Sequence, residues 1–337
     1  MSTISKEIHL KSRPVGLPTL DNFEVAEVTL PDPGDGEILI RNVYMSVDPY
    51  MRGRMVDRRS YTPPFQLGEP LTGGAVGRVV ASNNEKFAVG DTVLHMYGWR
   101  EYAISNGKGV DKIDPSIGPL QSFLGTLGMP GMTAYVGLMN IGAPKEGETV
   151  FVSAASGAVG AIVCQIAKAQ GCRVVGSVGS DEKVQWLLDE AGADAVFNYK
   201  TVSSVHDALK DHCPDGVDIY FENVGGEHLE AALTHMNNYG RIPVCGMIAQ
   251  YNATAPVPGP NNMAAIIGKR LKLQGFIVSD HYDQLAEFYG NMSQWIANGQ
   301  LKWKETILDG VERAPEAFIM LFTGENFGKM LVKIGEE

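Results

Sequence analysis

The segment Thr149-Val-Phe-Val-Ser-Ala-Ala-Ser-Gly-Ala-Val-Gly160 constrains the fold more than any other part of the chain. It opens as an apolar strand over 149–153, passes through small residues, and enters 158–169. There, apolar residues at 159, 162, 163 and 166 fall on one helical face. Strand, tight turn and helix in that order bring the free N–H groups of a helix start to one point, where an anion can sit. The spacing Ala154-x-x-Gly157-x-x-Gly160 departs from G-x-G-x-x-G at its first glycine, where Ala155 stands. Gly157 lets the backbone approach a pyrophosphate, and Gly160 lets the helix pack closely on the strand. Gly-rich strand–helix turns also occur without a ligand. A second strand at 173–178 completes a βαβ unit and favours the dinucleotide reading.

The alternation continues. Strands are predicted at 195–198, 217–221, 241–246 and 271–278, and helices at 180–191, 227–236 and 281–298, the last stopped by Gly299. Such alternation implies an α/β fold with a doubly wound parallel sheet of Rossmann type. Earlier residues read differently. Short β-branched runs at 37–44, 77–81 and 91–95, set between Gly, Pro and Asp turns, predict a β-rich, partly open barrel. A helix at 312–322 and a strand at 328–334 follow the completed sheet and are expected to rejoin that first domain. The expected division is 1–128 with 303–337 for the β-rich domain and 129–302 for the nucleotide-binding one. A chain of 337 residues suits two domains.

Charge and cysteine usage narrow the function. Acidic residues outnumber basic ones 39 to 28, a formal charge of −11, which argues against nucleic acid or an anionic membrane as partner. Cys164, Cys172, Cys213 and Cys245 form no C-x-x-C pair and fit a reducing cytoplasm. No apolar run reaches membrane-spanning length, and residues 1–7 show no secretory h-region.

The second strand bears on which dinucleotide binds. An NAD site places an acid at its end, for the ribose diol. Here the strand end is read at Gly176-Ser177, which leaves room for a ribose phosphate. Lys183 follows within one or two helical turns, and Tyr199 follows the third strand. This points to NADP(H). The competing reading makes Asp181 or Glu182 the ribose acid, but Ser180 reads as an N-cap, and acids in a first helical turn stabilise the helix itself.

Other chemistries lack their residues. No cysteine precedes Cys164, and the early histidines are His9 and His95, so no catalytic zinc set is expected. Ser156 would need glycines at 154 and 158 to form a nucleophile elbow, and both are Ala.

Seven strings occur in order: Ser46-Val-Asp-Pro-Tyr-Met-Arg52, Leu127-Gly-Met-Pro-Gly-Met-Thr-Ala-Tyr135, Ala154–Gly160, Glu222-Asn-Val-Gly-Gly226, Val244–Asn252, Leu273–Val278 and Gly324-Glu-Asn-Phe-Gly-Lys329. Together they resemble the zinc-free medium-chain dehydrogenase/reductases of the leukotriene/prostaglandin reductase and plant alkenal double-bond reductase type, nearest the bacterial curcumin reductase branch. The resemblance runs from about residue 10 to 334. It implies a GroES-like β-rich domain, a homodimer in which the 271–278 strand pairs with its mate, and NADPH-dependent reduction of the carbon–carbon double bond of an enone or alkenal. It places Gly157, Ala158, Val159 and Gly160 at the pyrophosphate, and Ser177, Lys183 and Tyr199 at the ribose phosphate. Asn223, Cys245, Phe276, Val278 and Asn326 would lie along the cofactor, with Met129 and Thr133 near its ring. Tyr251, Tyr61 and Tyr50 are the candidate donors to the enolate oxygen, since a phenol supplies an O–H on a rigid apolar body. Tyr251 would also border the cofactor. A quinone reductase on the same scaffold, and an NADPH-binding protein without turnover, are the competing readings.

Overall fold

In the computed structural model, which describes residues 3–337, the chain forms two units. One runs to Leu124 and resumes at Glu305–Asn326 and Met330–Glu337; the other is Gly125–Lys304 with Phe327–Lys329.

The first unit is built on antiparallel pairing. β1 (Thr3–Leu10) pairs with β2 (Phe23–Leu30), a hairpin that sequence patterning did not predict. β3 (Ile38–Ser46) is buried along nearly its whole length because it pairs on both edges. A short helix, α1 (Met51–Arg54), follows it. β4 (Ala75–Ser82), β5 (Thr92–His95), β6 (Tyr102–Ser105) and β7 (Asp111–Lys112) complete the N-terminal strands.

The second unit opens with α2 (Met129–Val136), where the sequence showed only a change of texture. Gly128 precedes it in extended conformation, and Pro130 sits in its first turn, where a missing N–H costs nothing. A wider π-helical turn, 137–142, continues it. Then come β8 (Thr149–Val152), α3 (Gly160–Ala169), β9 (Arg173–Val178), α4 (Asp181–Asp189), β10 (Ala195–Asn198), α5 (Val205–His212), β11 (Val217–Phe221), α6 (Gly226–His235), β12 (Met236–Val244), α7 (Ala265–Lys269), β13 (Lys272–Gly275) and α8 (Leu285–Ala297). The six strands lie in the order β10-β9-β8-β11-β12-β13, all parallel. This is the doubly wound order, with its reversal between β8 and β11. The predicted strand at 271–278 is shorter, since β13 ends at Gly275 and a 3₁₀ turn starts at Val278. That turn carries non-helical His281 (φ −124°, ψ 16°), which is why α8 begins at Leu285 rather than 281. Gly299 does stop the helix, at φ +67°.

The tail adds β14 (Glu305–Asp309), α9 (Ala314–Thr323) and β15 (Lys329–Lys333). β15 pairs antiparallel with β3, so the first unit's large sheet runs β14-β15-β3-β4-β5-β7, with β6 on β3. Its core gathers Trp99, Phe23 and Phe318, with Phe23 and Trp99 stacked at 6.1 Å.

Candidate active site

The turn after β8 is held by backbone geometry. Ala154 takes φ +49°, and its carbonyl accepts from Gly157 N–H at 2.9 Å. A Cβ on Gly160 would stand 2.4 Å from that same carbonyl, so only glycine lets α3 start this close to the strand. Gly157, Ala158 and Val159 are half-buried at the mouth of the turn, and no side chain caps α3. Among the described residues, neither Ala158 nor Val159 donates its N–H to a backbone acceptor of the turn. Gly328 closes the far side, donating to Ser156 O at 3.0 Å. The result is a cradle of small residues with two N–H groups that take no backbone acceptor among the described residues, which fits a pyrophosphate.

The rim of β9 corrects one expectation. The strand runs on to Val178, so its tip is Gly179-Ser180 and not Gly176-Ser177. Ser177 is fully buried, and its Oγ lies 2.8 Å from His228 Nε2 on α6. It faces the interior rather than the rim. Ser180 caps α4, as its sequence position suggested, accepting from Lys183 N–H. Asp181 is held by Asn198 Nδ2 at 2.8 Å. A Cβ on Gly179 would lie 3.1 Å from the Tyr199 hydroxyl and 3.3 Å from Lys200 Cε. Burial lowers the Lys183 pKa, and the neighbouring Lys200 cation lowers it further. The phenol and the Lys200 side chain therefore meet over a glycine, with Lys183 near enough to Lys200 to feel its charge. Sequence reasoning found Lys183 and Tyr199 but missed Lys200, which adjoins Tyr199 at the β10 end. It also missed His228, whose ring meets Tyr199 edge to face at 5.4 Å.

At the sheet's reversal, Glu222 is fully buried. Its Oε1 accepts from the Tyr220 hydroxyl (2.8 Å) and from the N–H groups of Val224 (2.6 Å) and Gly225 (2.8 Å). Among the described residues, Oε2 has no hydrogen-bond partner. Burial raises this carboxyl's pKa against the pull of those donors. Asn223 follows; its Nδ2 donates to Ser153 O at 2.8 Å, and its N–H donates to Ser153 Oγ at 3.0 Å. The tips of β8 and β11 are thereby tied together beside the turn. Cys245, after β12, has its thiol pushed up to about 12 by burial and the nearby Glu222. Tyr251 stands over the same strand end: its Oη accepts from Met247 N–H at 3.4 Å and would lie 3.1 Å from a Cβ on Gly246.

The remaining predicted contacts are dispersed. Thr133 is buried on α2 and donates to Met129 O at 2.7 Å. Phe276 packs its ring against Gly137, where a Cβ would come within 2.7 Å. Val278 is half-buried at the start of the 3₁₀ turn, and Asn326 is half-buried after α9.

Tyr50 and Tyr61 belong to the first unit. Tyr50 immediately precedes α1, so Arg54 lies one turn on, on the same face. The Arg54 cation is near enough to act on the Tyr50 phenol, and its own donors go to Pro63 O and Thr72 Oγ1. Tyr61 is 62% exposed and close enough to Tyr50 and Arg54 for its charge to be felt. Burial, with Asp48 nearby, raises the Tyr50 pKa beyond the ordinary phenol range, and Arg54 opposes that rise.

Among the described residues, no group of three or more His, Cys, Asp or Glu side chains is arranged to hold a metal ion. His9 pairs with Glu7 at 3.1 Å. His95 is buried, its pKa depressed to about 3 by desolvation, and its Nδ1 accepts from Tyr97 N–H.

Comparison with known proteins matches this arrangement. Residues 6–113 match a family described as the N-terminal domain of oxidoreductase, and residues 158–298 match zinc-binding dehydrogenase. The chain is 46% identical to the NADPH-dependent curcumin reductase of Escherichia coli, over 96% of this chain and 95% of that protein. The chain belongs to the medium-chain dehydrogenase/reductase family. Within the family it is also 44% identical to the NADP(+)-dependent 2-alkenal reductase of Nicotiana tabacum, over 99% of this chain and 98% of that one. Its fold matches the crystal structure of CurA in complex with NADPH from Vibrio vulnificus at TM-score 0.94 and 46% identity, covering 98% of this chain and 100% of that one. No helix among the described residues is long and apolar enough to cross a membrane.

Proposed function

We propose that this medium-chain reductase uses NADPH to reduce the carbon–carbon double bond of α,β-unsaturated ketones and aldehydes. Relatives of 44–46% identity are named for that chemistry, and their similarity extends over nearly the whole chain. The observation that carries the cofactor half is the Tyr199 hydroxyl and the Lys200 side chain lying against Gly179, with Lys183 near enough to Lys200 to feel its charge. A ribose 2′-phosphate needs fixed cations and no competing acid. Of the two acids in the first turn of α4, Asp181 is occupied by Asn198, and Glu182 acts on Lys183.

NADPH, when bound, supplies the hydride. The chain's residues do the rest. The N–H groups of Ala158 and Val159 hold the pyrophosphate. Lys183, Lys200 and Tyr199 bind the 2′-phosphate. Asn223, locked to Ser153, keeps the β8 and β11 tips at a set separation beneath the dinucleotide. Met129, Thr133, Cys245, Phe276, Val278 and Asn326 supply the apolar and amide surroundings. Hydride addition to the β-carbon leaves negative charge on the carbonyl oxygen, and a neutral O–H donor stabilises it. Tyr50 and Tyr251 are assigned that work, together with the cofactor's own ribose hydroxyl; Tyr61 supports them from its loop. Tyr50 keeps its proton at every physiological pH, so it can donate throughout.

Two further assignments complete the reading. The parallel sheet ends on β13, which pairs only with β12 among the described residues, and a second copy of the chain adding there would cover that edge in a homodimer. Four free cysteines suit a reducing cytoplasm.

Loss of NADPH absorbance with a 2-alkenal, an aryl enone and a quinone tests the reading. Turnover of the first two, with saturated carbonyl products by mass, is the result expected. Turnover of the quinone alone would replace it.

A further inference from the structure

His228 lies in the first turn of α6, just past the Glu222–Gly226 string, and neither motif nor family resemblance gives it a role. It is buried, and its imidazole joins two other elements of the nucleotide rim. Nε2 stands 2.8 Å from Ser177 Oγ on β9. The ring meets that of Tyr199 edge to face, with centroids 5.4 Å apart and planes 79° to one another. Ser177 is fully buried, so its hydroxyl serves the imidazole and not a bound phosphate. The first turn of α6 is itself fixed, because Glu227 Oε1 accepts from Val205 N–H at 3.0 Å at the start of α5. The Tyr199 backbone is fixed too, its N–H donating to Val178 O at 2.9 Å. What remains to be placed is the Tyr199 side chain. The residue is 41% exposed, and an exposed phenol samples several rotamers unless a neighbour blocks them. His228 is the neighbour on the α6 side, and the hydroxyl it leaves in place lies 3.1 Å from the Cβ position of Gly179.

We propose that His228 is a positioning residue for the phosphate end of NADPH: braced by Ser177, its ring holds the Tyr199 phenol over Gly179 before the cofactor arrives. The hydroxyl is then already aimed at the 2′-phosphate. Binding has one side chain fewer to order, so the gain falls on affinity for NADPH and not on hydride transfer. An edge-to-face pair is suited to this, since it fixes a ring by its angle as well as by its distance. Ser177 acts only through His228. The proposal rests on the reading of Tyr199 as a ligand of the 2′-phosphate.

A double-mutant cycle with Tyr199→Phe and His228→Ala tests it, read as dissociation constants of NADPH and of NADH by titration calorimetry. Tyr199→Phe is expected to weaken NADPH by about tenfold, the scale of one hydrogen bond to a charged group. His228→Ala is expected to weaken it by about fivefold, the scale of ordering one side chain on binding. Both should leave NADH within twofold, and kcat with an aryl enone at saturating NADPH within twofold. In the Tyr199→Phe background, His228→Ala should cost almost nothing more. His228→Phe keeps an aromatic edge for Tyr199 and should recover part of the NADPH affinity. Ser177→Ala should weaken NADPH by less than His228→Ala and add nothing to it. Wild-type NADPH affinity for Tyr199→Phe would overturn the Tyr199 reading and the proposal with it. An impaired Tyr199→Phe whose loss multiplies with that of His228→Ala would overturn the proposal alone. So would a His228→Ala loss equal for the two cofactors, which is what a merely structural role gives. If His228→Ala does not fold, His228→Gln, which removes the ring and keeps an amide for Ser177, is taken round the same cycle. A loss that multiplies with Tyr199→Phe then overturns the proposal equally.

Discussion

The Tyr199 hydroxyl lies 3.1 Å from where a Cβ would stand on Gly179. That distance is tighter than ordinary contact, so any larger residue at 179 must push the phenol away. Gly179→Ala is expected to raise KM for NADPH several-fold and to leave KM for NADH nearly unchanged. Gly179→Asp should go further and narrow the preference for NADPH over NADH, since it puts a carboxylate beside Lys183 and Lys200. Steady-state kinetics with both cofactors measures this.

The two lysines should separate from the rest of the site by their response to salt. Lys200→Ala and Lys183→Ala are each expected to raise KM for NADPH by about tenfold, the scale of one charge-assisted contact of about 1.4 kcal/mol. The rise of KM with ionic strength should flatten in each variant. Values for NADH should not move. Equal losses with both cofactors would place the lysines elsewhere in binding.

His228 predicts how stability changes with acid. Burial holds its pKa near 4 in the folded protein, against 6.5 ordinarily. The unfolded chain therefore takes up the proton first as pH falls, and stability is lost between about pH 6.5 and 4. A depression of this size corresponds to about 3 kcal/mol at most. His228→Asn should flatten that part of the curve of melting temperature against pH. His95, depressed to about 3, extends the same loss to lower pH and would remain.

Glu222 has the opposite sign. Its folded pKa is raised, so its neutral form favours folding and that contribution fades as pH climbs above the ordinary carboxyl value. Glu222→Gln is expected to be less sensitive to pH above about 4.5, the unperturbed value, and to keep KM for NADPH near wild type. Glu222→Ala strands two N–H groups and leaves the Tyr220 hydroxyl only Ser153 Oγ as acceptor, and should cost about 3 kcal/mol in chemical denaturation.

Much of this was legible in the sequence because its signals are local. The β8 turn could be read from Gly157 and Gly160, and Ser180 from its cap position. Gly299 announced a helix stop and adopts the positive φ that such a stop needs. What failed depended on register or on distant partners. Ser177 was read at the strand end although the strand itself was read to Val178, because nothing local says which way its hydroxyl faces; its burial is explained only by His228, 51 residues on. Lys200 reads as a surface lysine until β10 sets it beside β9. β1 and β2 alternate too weakly to announce a hairpin, since much of β2 is exposed. Arg54 reaches Pro63 and Phe65 in a loop, 59–65, whose path no local pattern gives.

The central claim is double-bond reduction, and the position of the transferred hydrogen tests it most directly. The protein is supplied with NADPH carrying deuterium at the transferable position and with an aryl enone, and the product is examined by NMR and mass. Deuterium on the β-carbon of a saturated ketone is the predicted result. Deuterium on the former carbonyl carbon of an allylic alcohol would contradict the account.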